Sequence, residues 1–195
     1  MKMLRRSVCL LLCAALFLTL LAGCGGGSRP TGIRAAETPA DDVAEYQPRW
    51  RSHTVDSTQY RKVFLAGTID MGRSSDWQAA LVARFRDSIG GRWLFFNPRR
   101  REFHASPAEM EYQVAWELAH LEAADLIVMN LLGDSRSPIS LLEMGLYARS
   151  GKLFVACSPD YYRYDNVRIT CRRYGVPLYD SLTALLDDLP QQSDE

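Results

Sequence analysis

Two acidic residues in this chain stand where a carboxylate could do chemistry. The first is Glu143, on a helix that we expect to begin at Pro138. It lies at the edge of the helix side that should face the core, which carries Ile139, Leu142 and Leu146. A carboxylate directed toward an apolar wall costs free energy unless it is paired or used in a reaction. The alternative is a partly exposed glutamate whose stem packs on the sheet, as most helical glutamates do.

Three neighbours bear on what Glu143 could do. Tyr147 flanks the carboxylate one helical turn later. Gly145 has no side chain and lets another group approach closely. Ser137 precedes Pro138 and is expected to cap the helix, because a serine followed by a proline is typical of a helix start.

The second acid is Glu117, which shares one side of a predicted helix with Gln113, Trp116 and His120. The opposite side is expected to face the sheet and carries Val114, Leu118 and Leu121. A tryptophan among hydrogen-bonding side chains suits a flat heterocycle, which stacks on the ring and is bound at its edge. The alternative is an ordinary amphipathic helix with a solvated polar side.

Two further groups of polar residues follow predicted strands. Gly67, Thr68 and Asp70 come after the first strand, where Asp70 could orient ligand hydroxyls or cap the turn. Asn97 and Arg99 come after the second strand. The asparagine could hold the loop or a ligand hydroxyl. The arginine could bind phosphate as a fork, or belong to a solvated run of charges.

An aromatic segment follows the fourth predicted strand and contains Tyr161, Tyr162 and Tyr164, with Asp165 and Asn166 behind them. It could close over a ligand or form a surface loop packed by its own rings. The three histidines are dispersed without metal-ligand spacing, so we expect no metal. We expect no cofactor either, since the carboxylates would supply the chemistry.

The elements that carry these residues alternate between strand and helix. Strands are expected at 62–66, 93–96, 125–130, 153–157 and 176–179, with helices starting near Ser74, Ser106, Ser137 and Ser181. This alternation predicts an α/β fold, a flavodoxin-like three-layer sandwich with a five-stranded parallel sheet. In such sheets ligands bind beyond the carboxyl ends of the strands, where the loops at 67–73, 97–104, 130–137 and 158–166 should meet.

The motifs together resemble the nucleoside 2-deoxyribosyltransferase-like family. The resemblance runs from about residue 62 to 186 and rests on Gly67-Thr68, Asn97–Arg100, Gln113–Leu118, Ala124-Asp125 and Ser137–Gly145. It implies that Glu143 is a nucleophile that attacks the anomeric carbon of a nucleoside or nucleotide and forms a covalent glycosyl-enzyme, as in a retaining glycosidase. Water, or a free nucleobase acting as acceptor, then takes the sugar.

The same resemblance implies roles for other residues. Glu117 would contact or protonate the leaving base, with Gln113 and Trp116 in the base pocket. Ser137 stands where the well-studied transferases carry a sugar-binding aspartate, six residues before the nucleophile. The family habit favours a homo-oligomer. We therefore expect an enzyme that cleaves or transfers a (deoxy)ribosyl group, and the alternative is a non-catalytic nucleoside- or nucleotide-binding lipoprotein.

The N-terminus predicts export. Three basic residues precede an apolar run at 8–20 that is too short for a comfortable membrane span, and Leu21-Ala22-Gly23-Cys24 follows. This resembles the bacterial lipoprotein signal, which implies lipid on Cys24 and a membrane protein of the bacterial cell envelope that faces away from the cytoplasm. An uncleaved N-terminal anchor is the alternative. We expect a signal peptide at 1–23, a flexible tether at 24–55 and one domain at 56–190.

Composition excludes one class of partner. Lys plus Arg and Asp plus Glu number 23 each, so no nucleic-acid surface is expected. Outside the signal and Cys24, the remaining cysteines are Cys157 and Cys171. They match no zinc pattern; an oxidising compartment would allow them to pair, or each could fill a small buried position.

Overall fold

The computed structural model describes residues 43–51, 54–89 and 91–189. The expected signal peptide at 1–23, the lipidation site Cys24 and most of the tether lie outside the described residues. None of the helices within these ranges is both long and apolar enough to cross a membrane.

The described residues are organised around one sheet with the strand order β2-β1-β4-β3-β5-β6-β7. Its strands are β1 (Val43–Gln47), β2 (Trp50–Arg51), β3 (Arg61–Gly67), β4 (Trp93–Phe96), β5 (Leu126–Leu131), β6 (Leu153–Cys157) and β7 (Leu178–Tyr179). All neighbouring strands are parallel except β1 and β2, which form an antiparallel hairpin. The central strands are apolar at nearly every position because helices cover both of their faces.

The helices are α1 (Trp77–Ser88), α2 (Pro107–Ala123), α3 (Pro138–Tyr147), α4 (Tyr164–Tyr174) and α5 (Leu182–Asp188). The chain moves from β3 to β4 in one direction along the sheet, and from β4 through β7 in the other. Right-handed crossovers therefore place α1 on one face, where α5 also packs, and α2, α3 and α4 on the opposite face. The flavodoxin-like α/β fold and the five expected strands, now β3 to β7, are confirmed.

The sheet has seven strands rather than five, and the two extra strands correct the expected tether. Residues 43–51, placed in the tether at 24–55, form β1 and β2. Val43, Ala44 and Tyr46 are buried there, and Glu45 is buried because its carboxylate accepts a hydrogen bond from Asn97 Nδ2 at 2.8 Å. The acidic stretch 37–45, which overlaps β1, hid a strand whose buried carboxylate, Glu45, accepts a hydrogen bond from Asn97 far along the chain.

A second correction concerns α4. Tyr164, Asp165 and Asn166 begin this helix instead of continuing an aromatic loop. Its buried residues are Val167 and Cys171, one per turn, and this stripe is too narrow to stand out in the sequence. Tyr161 remains in the connecting loop, where its hydroxyl donates to the backbone oxygen of Arg136 at 2.6 Å.

The orientation of α2 and α3 is the third correction. On α3 the aliphatic stripe faces outward, with exposed fractions of 59% for Ile139, 62% for Leu142 and 57% for Leu146. Ser140, Glu143 and Met144 are buried instead. On α2, Val114 and Leu118 are likewise exposed, whereas Leu121 is buried as expected. The sheet side of α3 thus carries Ser140, Glu143 and Met144, and on both helices most of the aliphatic stripe lies at the surface.

The two remaining cysteines are both buried as free thiols, Cys157 at the end of β6 and Cys171 on α4. The structure therefore has them as core residues and not as a disulfide. Across the described ranges, no group of three or more His, Cys, Asp or Glu residues is placed to hold a metal ion.

Candidate active site

Two carboxyl groups lie close together on neighbouring helices. Glu143 on α3 is 8% exposed, and Glu117 on α2 is partly buried. Burial, and to a smaller extent the nearby charge of Glu117, together raise the pKa of Glu143 to about 8. The pKa of Glu117 is raised by burial as well, with a partial offset from the hydrogen bond of Gln113. At neutral pH the pair therefore retains a proton, the arrangement that allows one carboxyl to act as an acid beside a carboxylate.

Gln113 orients Glu117. Its Nε2 donates to Glu117 Oε1 at 2.8 Å and to the backbone oxygen of Pro98 at 3.0 Å, which ties α2 to the loop after β4. Its Oε1 is buried and has no hydrogen-bond partner among the described residues. This orphaned acceptor lies beside the carboxyl pair and is available to a ligand that donates a hydrogen bond.

Tyr147 is half-buried one turn after Glu143, as expected. The pKa of its phenol is raised by burial first, and then by the charges of Glu122 and Glu143. Gly145 is not on this side. A side chain there would meet open space, and Gly145 borders a separate cavity of about 300 Å³ between α3 and α4.

A chain of hydroxyl groups links the loops after β3 and β5 to the start of α3. Ser135 Oγ donates to Asp70 Oδ1 at 2.9 Å and lies 2.8 Å from Ser137 Oγ, which lies 2.7 Å from Thr68 Oγ1. Thr68 Oγ1 in turn accepts from the backbone N–H of Leu132 at 3.1 Å. Each hydroxyl has one proton to donate. Since Ser135 donates its proton to Asp70, Ser137 must donate to Ser135, and Thr68 to Ser137.

This network changes the expected role of Ser137. Its side chain makes no capping hydrogen bond, and its backbone is left-handed with φ of 41°. Asp70 and Met71 are also left-handed, with φ of 48° and 54°. Strained non-glycine residues thus concentrate where these loops meet beyond the strand ends, as they often do at functional sites. Ser135, the member that the sequence analysis missed, had no signal except its position two residues before Ser137.

Gly67 and Asn97 hold the framework of the site. A Cβ on Gly67 would lie 2.2 Å from the backbone oxygen of Asn130, and its φ is 126°. Asn97 Nδ2 donates to Glu45, and Asn97 Oδ1 accepts from the backbone N–H of Arg99 at 3.0 Å. Of the two roles open to Asn97, the structure supports ordering of the loop.

Arg99 is not available as a phosphate fork. Its guanidinium donates to the backbone oxygens of Gly72, Ser74 and Ser75, at 3.2, 2.8 and 3.2 Å, and its Nε lies 3.6 Å from a carboxylate oxygen of Asp76. The side chain therefore fastens the loop after β3 to the loop after β4. Arg99 is also not part of a solvated run of charges, because its side chain is only 11% exposed and its guanidinium donates to backbone oxygens.

Trp116 lies apart from the carboxyl pair. Its ring stacks on His120 with centroids 3.9 Å apart and packs against Phe64. It lines a cavity of about 300 Å³ on the hairpin side of α2, whose lining includes neither Glu117 nor Glu143. The structure thus brings together Glu143, Glu117, Gln113 and Tyr147, and places Thr68, Asp70 and Ser137 in one adjoining network.

Comparisons with known proteins agree with this architecture. A conserved protein from Enterococcus faecalis V583 has a similar solved structure, with a TM-score of 0.50, 15% identity, and coverage of 68% of this chain and 99% of that chain. At this identity the likeness bears on the fold alone. No curated protein matches the sequence. The family model described as nucleoside 2-deoxyribosyltransferase like matches residues 60–161, which span β3 to β6 and carry both carboxyl groups. Because that match covers more than half of the chain, the protein belongs to the nucleoside 2-deoxyribosyltransferase-like family.

Proposed function

We propose that the protein cleaves or transfers the (deoxy)ribosyl group of nucleosides or nucleotides, with Glu143 as nucleophile and Glu117 as general acid. The observation that carries the proposal is the buried, coupled pair of carboxyl groups within the residues matched by the family. A carboxylate beside a carboxylic acid is the equipment of a retaining glycosidic reaction, which needs no cofactor.

The first half-reaction breaks the base–sugar bond. The Glu143 carboxylate forms a bond to the anomeric carbon as the carbon–nitrogen bond breaks, and the bond electrons pass to the leaving base. The proton of Glu117 moves to that base, so the base leaves as a neutral molecule. Because Gln113 already donates to Glu117 Oε1, the other oxygen of Glu117 is the one that would hold this proton.

The second half-reaction releases the sugar. Water or a second base attacks the same carbon and gives its proton to the Glu117 carboxylate, while Glu143 leaves as a carboxylate. Glu143 must be ionised at the start, although burial keeps its pKa near 8 in the empty site. Positive charge that develops on the sugar ring would favour this ionised form, since opposite charges stabilise one another in a buried site.

The test uses the full-length chain purified in mild detergent and incubated with deoxynucleosides, ribonucleosides and their monophosphates. Free base is measured by chromatography, with and without a second base. We expect release by the parent, loss of about 100-fold or more in Glu143→Gln and Glu117→Gln, and no change in Glu111→Gln, an exposed carboxyl on the same helix. Exchange into the second base would identify a transferase, and indifference to it a hydrolase.

A non-catalytic binding protein is the second candidate. The raised pKa of Glu143 favours it, because a largely neutral carboxyl suits hydrogen bonding to a neutral ligand better than nucleophilic attack. Folded parent protein that binds nucleosides but releases no base from any substrate would support this candidate and contradict the enzyme.

We also propose that lipid on Cys24 holds the protein in the bacterial cell envelope, facing away from the cytoplasm. The sequence Leu21-Ala22-Gly23-Cys24 after a short apolar run supports this proposal. Mass spectrometry of the N-terminal peptide should find the modification on Cys24. In Cys24→Ser it should be absent, and the protein should leave the membrane fraction.

We propose further that two copies associate through the outer sides of α2 and α3. Six exposed aliphatic residues support this: Met110, Val114, Leu118, Ile139, Leu142 and Leu146. This many large apolar side chains exposed on the outer sides of two neighbouring helices is unusual on a monomer, and the net charge of zero creates no repulsion between copies. Sedimentation should show a dimer that Leu142→Asp weakens and Ile169→Asp, at an exposed aliphatic on α4, leaves intact; a monomeric parent would contradict the proposal.

A further inference from the structure

A second cavity lies on the side of α2 away from α3. Its volume is about 300 Å³, and it forms an open cleft between that helix and the β1–β2 hairpin. The hairpin contributes Arg49, Trp50 and Arg51, and the helix contributes Tyr112, Trp116 and His120. Because residues 43–51 precede the matched segment 60–161, one wall of the cavity is built from a part of the chain that the family match does not cover.

The lining of this cavity includes none of Gln113, Glu117 and Glu143, although it adjoins them on α2. Residues four apart on a helix share a side, so Tyr112, Trp116 and His120 form one stripe that faces the hairpin. Gln113 and Glu117 form the next stripe and lie with Glu143. The two cavity walls therefore meet on a surface of their own, and a ligand there need not touch the reacting groups.

The helix wall is aromatic, with Trp116 and His120 stacked face to face on one another. The rings of Trp116 and His120 are nearly parallel at 23°, with centroids 3.9 Å apart, and Phe96 supports His120 from behind at 4.5 Å. His120 Nδ1 lies 2.7 Å from the backbone oxygen of Trp116, so this nitrogen carries the proton. Trp50 adds a third aromatic ring from the hairpin. Because each ring of the stacked pair covers one face of the other, a planar heterocycle would pack against the outer side or edge of the pair and against Trp50.

The hairpin wall is cationic. Arg49 is held in place, with its guanidinium 3.6 Å from the centre of the Tyr112 ring and 2.9 Å from Glu109 Oε1. Arg51 lies over the ring of Tyr46 at 4.8 Å, and within the described ranges no carboxylate stands within ion-pair distance of it. An arginine without a compensating charge beside an aromatic cavity can bind an anionic group through its planar fork.

We propose that this cavity is a second binding site, for a planar aromatic anion of the nucleoside monophosphate class. The base packs among the aromatic side chains of Trp50, Trp116 and His120, and the phosphate pairs with Arg51. The cavity volume lies at the lower end of the range for small-molecule sites and fits one mononucleotide. The site stands independently of the proposed catalysis, because none of its residues takes part in that reaction.

The experiment titrates full-length protein in mild detergent with adenosine 5′-monophosphate, adenosine and inorganic phosphate. All titrations use the Glu143→Gln background, so that turnover cannot consume the ligand. Calorimetry measures the affinity. Tryptophan fluorescence shows where the ligand binds, because a ligand in the cavity changes the emission of the tryptophans that line it. Trp50 and Trp116 line the cavity, whereas Trp77 and Trp93 are buried in the other helical layer. The variants are Arg51→Gln, with Arg172→Gln as a control at an exposed arginine of α4.

We expect the monophosphate to bind saturably and to quench tryptophan fluorescence, and adenosine or phosphate alone to bind more weakly. Arg51→Gln should weaken the binding of the monophosphate about tenfold and abolish the salt dependence of that binding. Arg172→Gln should change neither the affinity nor its salt dependence. Adding Glu117→Gln should leave the affinity unchanged. Absence of saturable binding would overturn the proposal. So would binding that Glu117→Gln removes and Arg51→Gln does not, since the ligand would then sit at the carboxyl pair.

Discussion

Glu143 is the residue whose environment departs most from that of an ordinary side chain of its type. An isolated carboxyl of this kind titrates at 4.5, and burial against α2 moves the pKa to about 8. The sequence singled out this residue because a glutamate two positions before a glycine in a matched motif is a local pattern, and its role as nucleophile stays a prediction. Its burial has a different basis than expected, since Ser140 and Met144 accompany it inward whereas Leu142 and Leu146 are exposed.

The raised pKa makes stability depend on pH. Between pH 4.5 and 8 the unfolded chain releases the Glu143 proton while the folded protein keeps it, so the free energy of unfolding falls as pH rises through this window. Glu143→Gln removes the titration and should stabilise the protein by a few kcal/mol, on the order of the shift itself, above pH 8 and hardly at all at pH 5. Chemical denaturation across pH 5 to 9 measures the difference. If the free energy of unfolding changed with pH equally in the parent and in Glu143→Gln, the prediction would be contradicted. Glu111→Gln should show the same pH dependence as the parent.

Gly67 gives a second prediction at this scale. Alanine there would place a carbon 2.2 Å from Asn130 O in a backbone with φ of 126°, so β3 and β5 would have to separate. We expect Gly67→Ala to destabilise the protein by about 3 kcal/mol or more. Gly151→Ala, also at positive φ but in open space, should cost only about 1 kcal/mol. Thermal unfolding compares them, and similar losses would show that the contact with Asn130 is unimportant.

At the scale of elements, the order of strands was predictable and the faces of the helices were not. Short apolar runs located β3 to β6. Of the serines expected to cap the helices between them, Ser106 does cap α2 by accepting from Glu109 N–H at 3.2 Å, whereas Asp76 caps α1 and Ser137 makes no capping hydrogen bond. An aliphatic stripe, however, says only that a helix has an apolar side. Which side meets the sheet depends on contacts such as Gln113 to Pro98, which join residues distant in sequence.

The position of Arg99 in a loop also could not be interpreted from the sequence alone, because its contacts are with residues distant in sequence. The sequence places an arginine after a strand, where a phosphate fork is a fair expectation, and only the fold reveals the backbone oxygens of residues 72–75 around it. Arg99→Lys keeps the charge and loses the fork, so we expect a loss of about 1–3 kcal/mol in urea unfolding. Arg101→Lys, at an exposed neighbour, should cost little. Unchanged stability with weaker binding of nucleotides but not nucleosides would instead restore the phosphate role.

At the scale of the molecule, the main error of the sequence analysis was the place where the domain begins. Composition alone put residues 43–51 in a tether, because one acidic strand in a polar stretch has no periodicity of its own. The structure makes them an edge of the sheet that completes both helical layers: Val43 packs with α1, whereas Ala44 and Tyr46 belong to the core beneath α2, α3 and α4. The second cavity exists only because of this hairpin.

The last prediction tests that boundary. A chain beginning at Arg51 lacks β1, so the whole of β4 becomes an edge strand and Asn97 Nδ2 loses the carboxylate of Glu45. An unpaired edge invites association, and a buried amide without its partner costs about 1–3 kcal/mol. We expect the chain 51–195 to unfold at lower urea concentration than the chain 39–195 and to aggregate on concentration. Glu45→Gln in the longer chain keeps β1 and an acceptor for Asn97, and should retain most of the stability. Equal stability of the two chains would mean that β1 adds no stability to the sheet and that β3 to β7 are stable without it.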